Sequence, residues 1–258
     1  MMALAQKANK PSLFWALTEA GRAMAELGAS LPFRKLYGKA ETGDGHPVIV
    51  LPGFMASKRS TAPLRKFLRK QGYNVQDWGM GRNYGKIEYK DALLAFIDEL
   101  YEMHQERVSL IGWSLGGVFA RELAKERPAL IRQVITLGSP FRAVVKKNNA
   151  TWLYEYVSGG QKVEDIDPEI LEGIPDPAPV PTTAIYSKED GVVPWQYCME
   201  KEETDIHQNI QVRGSHLGLG VNPSVLHIIA DRLQYAQEDW QLFEPGSLFE
   251  DLLLYPSL

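Results

Sequence analysis

Short apolar runs alternate with segments of helical periodicity along most of this 258-residue chain. Apolar runs bounded by turn-forming residues predict buried strands, and apolar residues that recur every three or four positions predict helices. The predicted strands are 48–51, 73–78, 108–111, 134–137, 182–186 and 209–212, and the predicted helices are 60–70, 89–105, 115–126 and 224–240. This alternation predicts an α/β fold, with a mostly parallel sheet and helices on both of its faces.

Two segments depart from the alternation, and we assign both to a single domain that spans residues 1–258. Residues 12–27 have amphipathic helical spacing, with Ser12 as an N-cap and Gly28 as a stop. They predict a helix that packs on the domain, within an N-terminal helical extension over 1–45. Residues 141–181 carry an aromatic cluster and then a Pro-rich stretch. A long non-periodic insert in a compact domain is usually functional, so this segment predicts a cap or lid.

Composition and charge exclude several functional classes. A formal net charge of −4 gives no basic footprint for nucleic acid. The single cysteine, Cys198, permits neither an intrachain disulfide nor a cysteine-based metal site, and we expect no metal or cofactor. Nowhere does a stretch of about 18 apolar residues predict a transmembrane helix, and the N-terminus lacks the apolar core of a secretion signal. We therefore expect a cytoplasmic protein; the sequence leaves open whether it forms a homo-oligomer.

The pentapeptide Gly112-Trp113-Ser114-Leu115-Gly116 matches the G-x-S-x-G nucleophile elbow. An apolar strand runs directly into it and an amphipathic helix begins directly after it, which is the setting that the motif requires. The serine needs a strained turn to project its hydroxyl above the sheet, and the flanking glycines avoid clashes with neighbouring backbone. The helix that follows directs its N–H groups at a developing oxyanion. We therefore assign Ser114 as the nucleophile.

These segments resemble a known group of proteins. Residues 112–117 and the segment Leu137-Gly138-Ser139-Pro140-Phe141 are similar to the elbow and the following strand of α/β-hydrolase fold lipases and esterases. The resemblance extends over about residues 48–233. It implies a catalytic triad in which the acid and then the histidine follow the serine along the chain. It also implies ester hydrolysis through an acyl-enzyme, without a metal or cofactor.

His216 is our candidate for the general base that activates the serine. It lies in a turn after the strand 209–212 and before the last long helix, in agreement with the triad order; the nearest rival among the five histidines is His207. Asp190 follows the strand 182–186 in a loop that resembles the acid loop of α/β-hydrolases. A carboxylate there holds the imidazole tautomer and stabilises the imidazolium. Glu189 is the alternative acid.

The oxyanion hole and the substrate pocket are assigned by position and by resemblance. The backbone N–H of Leu115 is the first expected donor, and the loop after the strand 48–51 supplies the second. By resemblance to lipase loops of the His-Gly-Phe type this second donor is Phe54, although Pro52 replaces the histidine and Met55 stays an alternative. The candidate substrate contacts are Met55, Trp113, Trp152 and Tyr156.

The leading functional hypothesis is a serine hydrolase that cleaves apolar, small-molecule carboxylic esters of short to medium acyl chain length. The same triad also serves acyltransferases, thioesterases and amidases. A member of the fold that binds without catalysis is a rival of a different class, and we would expect it to have lost part of the triad. All three candidate residues, Ser114, Asp190 and His216, are present.

Overall fold

A computed structural model describes residues 10–37, 43–142, 173–245 and Pro256 of this chain. The strands are β1 (Pro47–Leu51), β2 (Asn74–Asp77), β3 (Val108–Trp113), β4 (Ile131–Leu137), β5 (Thr182–Tyr186) and β6 (His207–Gln211). The helices are α1 (Leu13–Tyr37), α2 (Ala62–Lys70), α3 (Tyr89–His104), α4 (Leu115–Glu126) and α5 (Pro223–Leu233). Short 3₁₀ turns lie at Trp195–Tyr197 and His216–Gly218.

The described strands form one six-stranded sheet in the order β2-β1-β3-β4-β5-β6, and all neighbouring strands are parallel. The predicted sheet is therefore confirmed. β2 lies on one side of β1, and β3 to β6 follow one another on the other side. The direction in which strands are added to the sheet therefore reverses between β2 and β3. Ligands of open α/β sheets usually bind in the crevice outside the carboxyl ends of the strands at such a point. The loops after β1 and β3 meet at this crevice.

Two apolar layers cover the two faces of the sheet. One layer packs alternate strand residues against α2 and α5, and includes Val48, Ile111, Ile135, Phe67 and Ile229. The other packs the intervening strand residues against α3 and α4, and includes Ile49, Leu110, Val134, Ile97 and Leu123. Successive side chains of a strand point to opposite faces, so a strand that is covered on both sides is apolar at nearly every position. This is why the strands are continuous apolar runs in the sequence.

The structure changes the bounds of the first and last predicted helices. α1 continues beyond Gly28 to Tyr37. Glycine costs about 1 kcal/mol relative to alanine inside a helix, which weakens a helix without ending it. α5 ends at Leu233 rather than at residue 240. The chain after the helix packs back on it: the buried Arg232 donates a hydrogen bond to the backbone carbonyl of Gln241, and its guanidinium lies 5.5 Å from the Trp240 ring centroid.

α1 packs against the domain through its polar face. Glu19 and Ser30 are buried, whereas Leu17 and Met24 are 76% and 67% exposed. The helix contacts α5 and the turn at His216–Gly218. Amphipathic helices ordinarily turn their apolar stripe to the core, so the orientation of α1 is reversed. Side-chain hydrogen bonds to the domain take the place of apolar packing.

The segment 141–181, predicted as a cap or lid, lies mostly outside the described residues, and so do Trp152 and Tyr156. The described ends of this segment join the core, since Phe141 and Val180 are buried. None of the helices in the described part of the chain combines the length and the apolar character that a membrane span requires.

A buried ion pair links α4 to the segment that precedes β6. The side chains of Arg121 and Glu200 are 0% and 3% exposed, and both carboxylate oxygens of Glu200 accept hydrogen bonds from the guanidinium. The guanidinium also donates to Asp176 O at 2.8 Å and lies 3.8 Å from the Phe141 ring centroid. A buried charge without its partner is strongly unfavourable, so each of the two side chains depends on the other.

We expect Glu200→Ala to lower the free energy of unfolding by about 3–5 kcal/mol, because the Arg121 guanidinium then stays buried without its counterion. The double variant Arg121→Met/Glu200→Met removes both charges and should lose less stability than the single variant. Urea denaturation measures the free energy of unfolding of both variants. The control is Glu126→Ala, which breaks an exposed pair with Lys90 and should cost at most about 1 kcal/mol. A Glu200→Ala loss no larger than that of the control would contradict the prediction.

Candidate active site

The turn between β3 and α4 holds Ser114 in a strained conformation. Its φ of +53° and ψ of −123° are unfavourable for a residue with a side chain. Such strain costs about 1–3 kcal/mol and persists only where the surrounding structure enforces it. Glycines are required around the turn: a Cβ on Gly116 would lie 2.4 Å from Leu51 O, and a Cβ on Gly112 would lie 2.2 Å from Gly117 Cα. The turn therefore has the geometry expected of a nucleophile elbow.

Ser114 is fixed to the adjacent strand and to the start of α4. Its backbone N–H donates a hydrogen bond of 2.8 Å to Leu137 O, at the carboxyl end of β4. Leu115 is the first residue of α4, and the N–H groups of a first helical turn lack partners within the helix. The serine side chain therefore lies where the positive end of the helix dipole favours a negative charge.

His216 and Asp190 form a buried hydrogen-bonded pair. His216 Nδ1 lies 2.6 Å from Asp190 Oδ2, and the two residues are 5% and 4% exposed. The second carboxylate oxygen, Oδ1, accepts hydrogen bonds from the backbone N–H groups of Val192 and Val193 at 2.8 and 2.7 Å. The carboxylate is thus held by two backbone donors. With Nδ1 directed to Asp190, Nε2 of the imidazole is the nitrogen available as a base.

Opposing effects determine the pKa of His216. Burial disfavours the imidazolium and lowers the pKa, while the charge of Asp190, its hydrogen bond and the charge of Glu19 raise it. The net result is a pKa above the ordinary value for histidine. The imidazolium that forms when a general base accepts a proton is therefore stabilised at this position.

Two contacts bring the serine turn and the His–Asp pair together. Gly138 follows β4 directly, and a Cβ there would lie 3.1 Å from His216 Nδ1 and 3.3 Å from Asp190 Oδ2. Trp113, next to the serine, donates a hydrogen bond from its indole Nε1 to His216 O at 3.0 Å. Among the described residues, Ser114 Oγ forms no hydrogen bond with His216 Nε2. Catalytic hydrogen bonds are often long without substrate and tighten in the reacting complex.

The rival base and acid have other partners. Both ring nitrogens of His207 are engaged, Nε2 with Ala178 O at 2.8 Å and Nδ1 with Thr204 Oγ1 at 3.0 Å. The carboxylate of Glu189 lies 3.8 Å from the Arg213 guanidinium. The geometry therefore favours His216 and Asp190 over these alternatives.

The loop after β1 lies against the serine. A Cβ on Gly53 would lie 3.1 Å from Ser114 Cβ and 3.8 Å from its Oγ, so the loop backbone approaches the hydroxyl closely. Met55 has a φ of +58°, and its N–H donates to Asn83 O at 2.7 Å. The Met55 N–H is therefore engaged within the site's own framework, and Phe54 stays the predicted second oxyanion donor.

Asn83 is a supporting residue that the sequence analysis missed. Its buried side chain donates from Nδ2 to Pro52 O at 2.8 Å, and its Oδ1 accepts the Gly85 N–H at 2.9 Å. Its backbone N–H donates to Ala56 O at 2.8 Å. Asn83 thus holds both ends of the loop that contacts the serine. An asparagine in a glycine-rich stretch forms no recognisable motif, so only the fold reveals this role.

An apolar cluster borders the site on the side of the two expected oxyanion donors. Its buried members are Leu115, Tyr186, Val193 and Cys198, and the partly buried Phe54 and Trp195 pack against it. Met55 is 48% exposed at the edge of the site. Trp113 supports the His216 loop through its hydrogen bond to the His216 carbonyl. A contact between Trp113 and substrate stays a prediction.

Two further features bear on the chemistry of the site. Burial and the charge of Asp190 raise the pKa of the Cys198 thiol well above its usual range, which disfavours the thiolate that a nucleophile would need. The described part of the chain contains no group of three or more His, Cys, Asp or Glu side chains that could hold a metal ion.

Comparison with known sequences relates part of this chain to two groups. A family model for a PGAP1-like alpha/beta domain matches residues 79–169. Serine hydrolase BPHL of Mus musculus is 30% identical over 112 residues. The match covers 38% of this chain and 37% of the relative, so the chain spans well under half the length of that protein.

Solved structures with lipase and esterase names share the fold. Aspergillus fumigatus lipase B matches with a TM-score of 0.59 and 17% identity, over 84% of this chain and 59% of the lipase. A lipase-esterase related protein of Clostridium acetobutylicum matches with a TM-score of 0.53 and 19% identity, over 75% of this chain and 95% of that protein. At these identities the likeness concerns the fold alone.

His216 and His46 are both buried and each has a carboxylate partner. We expect the pKa of His216 to lie above 6.5 and that of His46 below it. The pKa of His216 is raised from that value, whereas burial lowers the pKa of His46 by more than its bond to Asp44 raises it. Asp190→Asn removes the charge that favours the imidazolium, so the pKa of His216 should fall while that of His46 stays unchanged. Proton–carbon NMR titration measures both, with His216→Gln and His46→Gln for assignment. An unchanged His216 pKa in Asp190→Asn would refute the electrostatic account.

Proposed function

This chain has the α/β-hydrolase fold, and on that premise we propose that it is a serine hydrolase that cleaves carboxylic esters through an acyl-enzyme on Ser114. His216 is the general base and Asp190 the acid that orients it. The observation that carries the proposal is the buried His216–Asp190 pair, which lies against the strand end that also binds the Ser114 backbone. A purely structural His–Asp pair would not explain the strained backbone of the serine beside it.

The first half-reaction transfers the acyl group to the enzyme. His216 Nε2 takes the hydroxyl proton as Ser114 Oγ attacks the ester carbonyl, while Nδ1 keeps its proton on the hydrogen bond to Asp190. The electron pair of the carbonyl moves to oxygen and forms an oxyanion. The bond from carbon to the alcohol oxygen then breaks, the alcohol leaves with the proton from His216, and the acyl group stays on Oγ.

The second half-reaction releases the acid and restores the enzyme. A water molecule gives a proton to His216 Nε2 and attacks the acyl carbonyl, which forms a second oxyanion. When this intermediate collapses, the bond to Ser114 Oγ breaks and the serine recovers its proton from His216. The raised pKa of His216 fits both halves, because the imidazolium is the form that accompanies each oxyanion.

Two backbone N–H groups stabilise these oxyanions in our proposal. Leu115 offers one at the start of α4, and Phe54 offers the other in the loop that lies against the serine. Loss of a single donor of this type costs about 10²- to 10³-fold in kcat. The hydrogen bonds of Asn83 to this loop support the alignment of the Phe54 donor.

The apolar cluster around Phe54 and Leu115 supports an apolar ester as substrate, and we propose one of short to medium acyl chain length. A relative that carries the name serine hydrolase, 30% identical over 112 residues, supports the reaction class. Met55, Trp113, Trp152 and Tyr156 stay predicted contacts. Transfer of the acyl group to an acceptor other than water, or cleavage of a thioester or amide, would use the same triad. A panel of substrates distinguishes these reactions from ester hydrolysis.

We expect a fluorophosphonate probe to label the wild-type protein and Ser114→Ala to abolish that labelling, because the probe reacts with an activated serine hydroxyl. Mass spectrometry should locate the adduct on Ser114. His216→Gln should lower ester hydrolysis by about 10⁴- to 10⁶-fold, the range found when members of other triads are removed.

The matched control for this experiment is Cys198→Ser, which changes the single cysteine of the chain. It should keep the labelling, since the thiol is buried and protonated. Labelling that survives Ser114→Ala would rule out the proposed nucleophile.

We expect wild-type protein to hydrolyse p-nitrophenyl esters of short or medium acyl chain length. The apolar cluster beside the expected oxyanion donors favours an apolar acyl group over a polar one. A panel of acyl chain lengths measures kcat/KM, with matched thioesters and anilides alongside. Activity confined to the thioesters or anilides would reject ester hydrolysis and leave one of the alternatives with the same triad.

A further inference from the structure

Two glutamates of α1, seven positions apart, bind the backbone of the loops that carry the acid and the base. Glu19 Oε1 accepts the N–H of Gly191 at 2.7 Å and the N–H of His216 at 3.1 Å. Glu19 Oε2 accepts the N–H of Leu217 at 3.0 Å. One carboxylate therefore bridges the residue after Asp190 and the candidate base itself.

The contact is buried and closely packed. Glu19 is 5% exposed, and a Cβ on Gly191 would lie 2.4 Å from the backbone carbonyl carbon of Trp15 on α1. Arg22 completes the arrangement, since its Nη2 donates to Glu19 Oε1 and to Glu189 O, both at 2.9 Å. A carboxylate out of water needs such donors to remain charged.

We propose that Glu19 is a positioning residue of this hydrolase: its carboxylate joins the Asp190 loop to the His216 loop and keeps the base aligned with its acid. The inference rests on the proposed function of the triad and adds a fourth side chain to it, from the N-terminal helix α1. It also assigns α1 a role in the site, as the element that carries this carboxylate.

Two physical effects follow from the position of Glu19. Its hydrogen bonds hold the backbone on both sides of the His216–Asp190 bond, so loss of the carboxylate lets the two loops move apart. Its negative charge also faces the imidazole, as does that of Asp190, and both favour the imidazolium. Arg22 is the cation that faces Glu19 and offsets part of its charge.

Glu26 offers a comparison on the same helix. Its Oε1 accepts the N–H of Ser215 at 2.8 Å, and its Oε2 accepts a hydrogen bond from Asn222 Nδ2 at 3.0 Å. Glu26 thus fastens the His216 loop to α1 but makes no bond to the Asp190 loop. A variant of Glu26 therefore tests attachment of the helix without the bridge between the two loops.

The test compares Glu19→Gln with Glu26→Gln and with Glu102→Gln, which removes the same charge from the exposed surface of α3. For Glu19→Gln we expect kcat to fall about 10- to 100-fold, as a small misplacement of a catalytic group does, with KM within about twofold. The acid limb of the kcat/KM profile should move to lower pH, because His216 loses a neighbouring negative charge. NMR titration of His216 should show the same downward shift without reference to activity.

The controls should separate positioning from stability. Glu26→Gln should lower the thermal midpoint but leave the acid limb and the His216 titration in place, and Glu102→Gln should change none of these. Glu19→Asp keeps the charge on a shorter side chain, so it should lower kcat without moving the acid limb. If Glu19→Gln does not fold, Glu19→Asp carries the test, and a wild-type kcat in that variant overturns the inference.

The two proposals fail in different ways. A wild-type protein that neither takes up the fluorophosphonate probe on Ser114 nor hydrolyses esters removes the proposed function. A wild-type protein that is active, together with a folded Glu19→Gln variant of unchanged kcat and unchanged His216 titration, overturns the role of Glu19 and leaves the hydrolase intact.

Discussion

Parallel pairing of the strands is the constraint on which the candidate site depends, because it brings the carboxyl ends of β1 and β3–β6 to one edge of the sheet. The register sets Leu51 beside Gly112 and Trp113 beside Leu137. The serine turn and the loop after β1 therefore leave the sheet side by side. The loops after β5 and β6 bring the candidate acid and the candidate base to the same edge. Hydrogen bonding in the sheet thus converts large separations along the chain into direct contact.

The same geometry requires close approach between backbone segments, and the chain meets it with glycines and with local strain. Gly116 lets the start of α4 lie against the end of β1, and Gly138 leaves room for the His–Asp pair beside β4. Ser114 occupies an unfavourable backbone conformation that its neighbours enforce. The cost is offset by the packing of the layers on both faces of the sheet. The stable scaffold therefore supports a strained turn at its edge.

The buried loops at the strand ends contain backbone N–H groups that have no partner in the sheet and need other acceptors. This need explains why α1 packs through its polar face. Such groups are almost always hydrogen-bonded in folded proteins. Asp190 satisfies two of them within its own loop, while Glu19 satisfies three across both loops. The helix therefore turns its carboxylates inward and leaves apolar residues such as Leu17 exposed. The arrangement links the charge of the site to the packing of the N-terminal helix.

The sequence by itself determined the features that depend on local periodicity and on short motifs. The strand 182–186 and the helix 115–126 have the predicted bounds, and the turn at Ser114 has the strained form that its glycine pattern indicates. Order along the chain and resemblance indicated the His–Asp pair, without any distance. Only the tertiary structure decided which face of α1 packs, and only it revealed Glu19 and Asn83. Periodicity reports that one side of a helix differs from the other, but the side that packs depends on hydrogen-bond donors in loops far away in the chain.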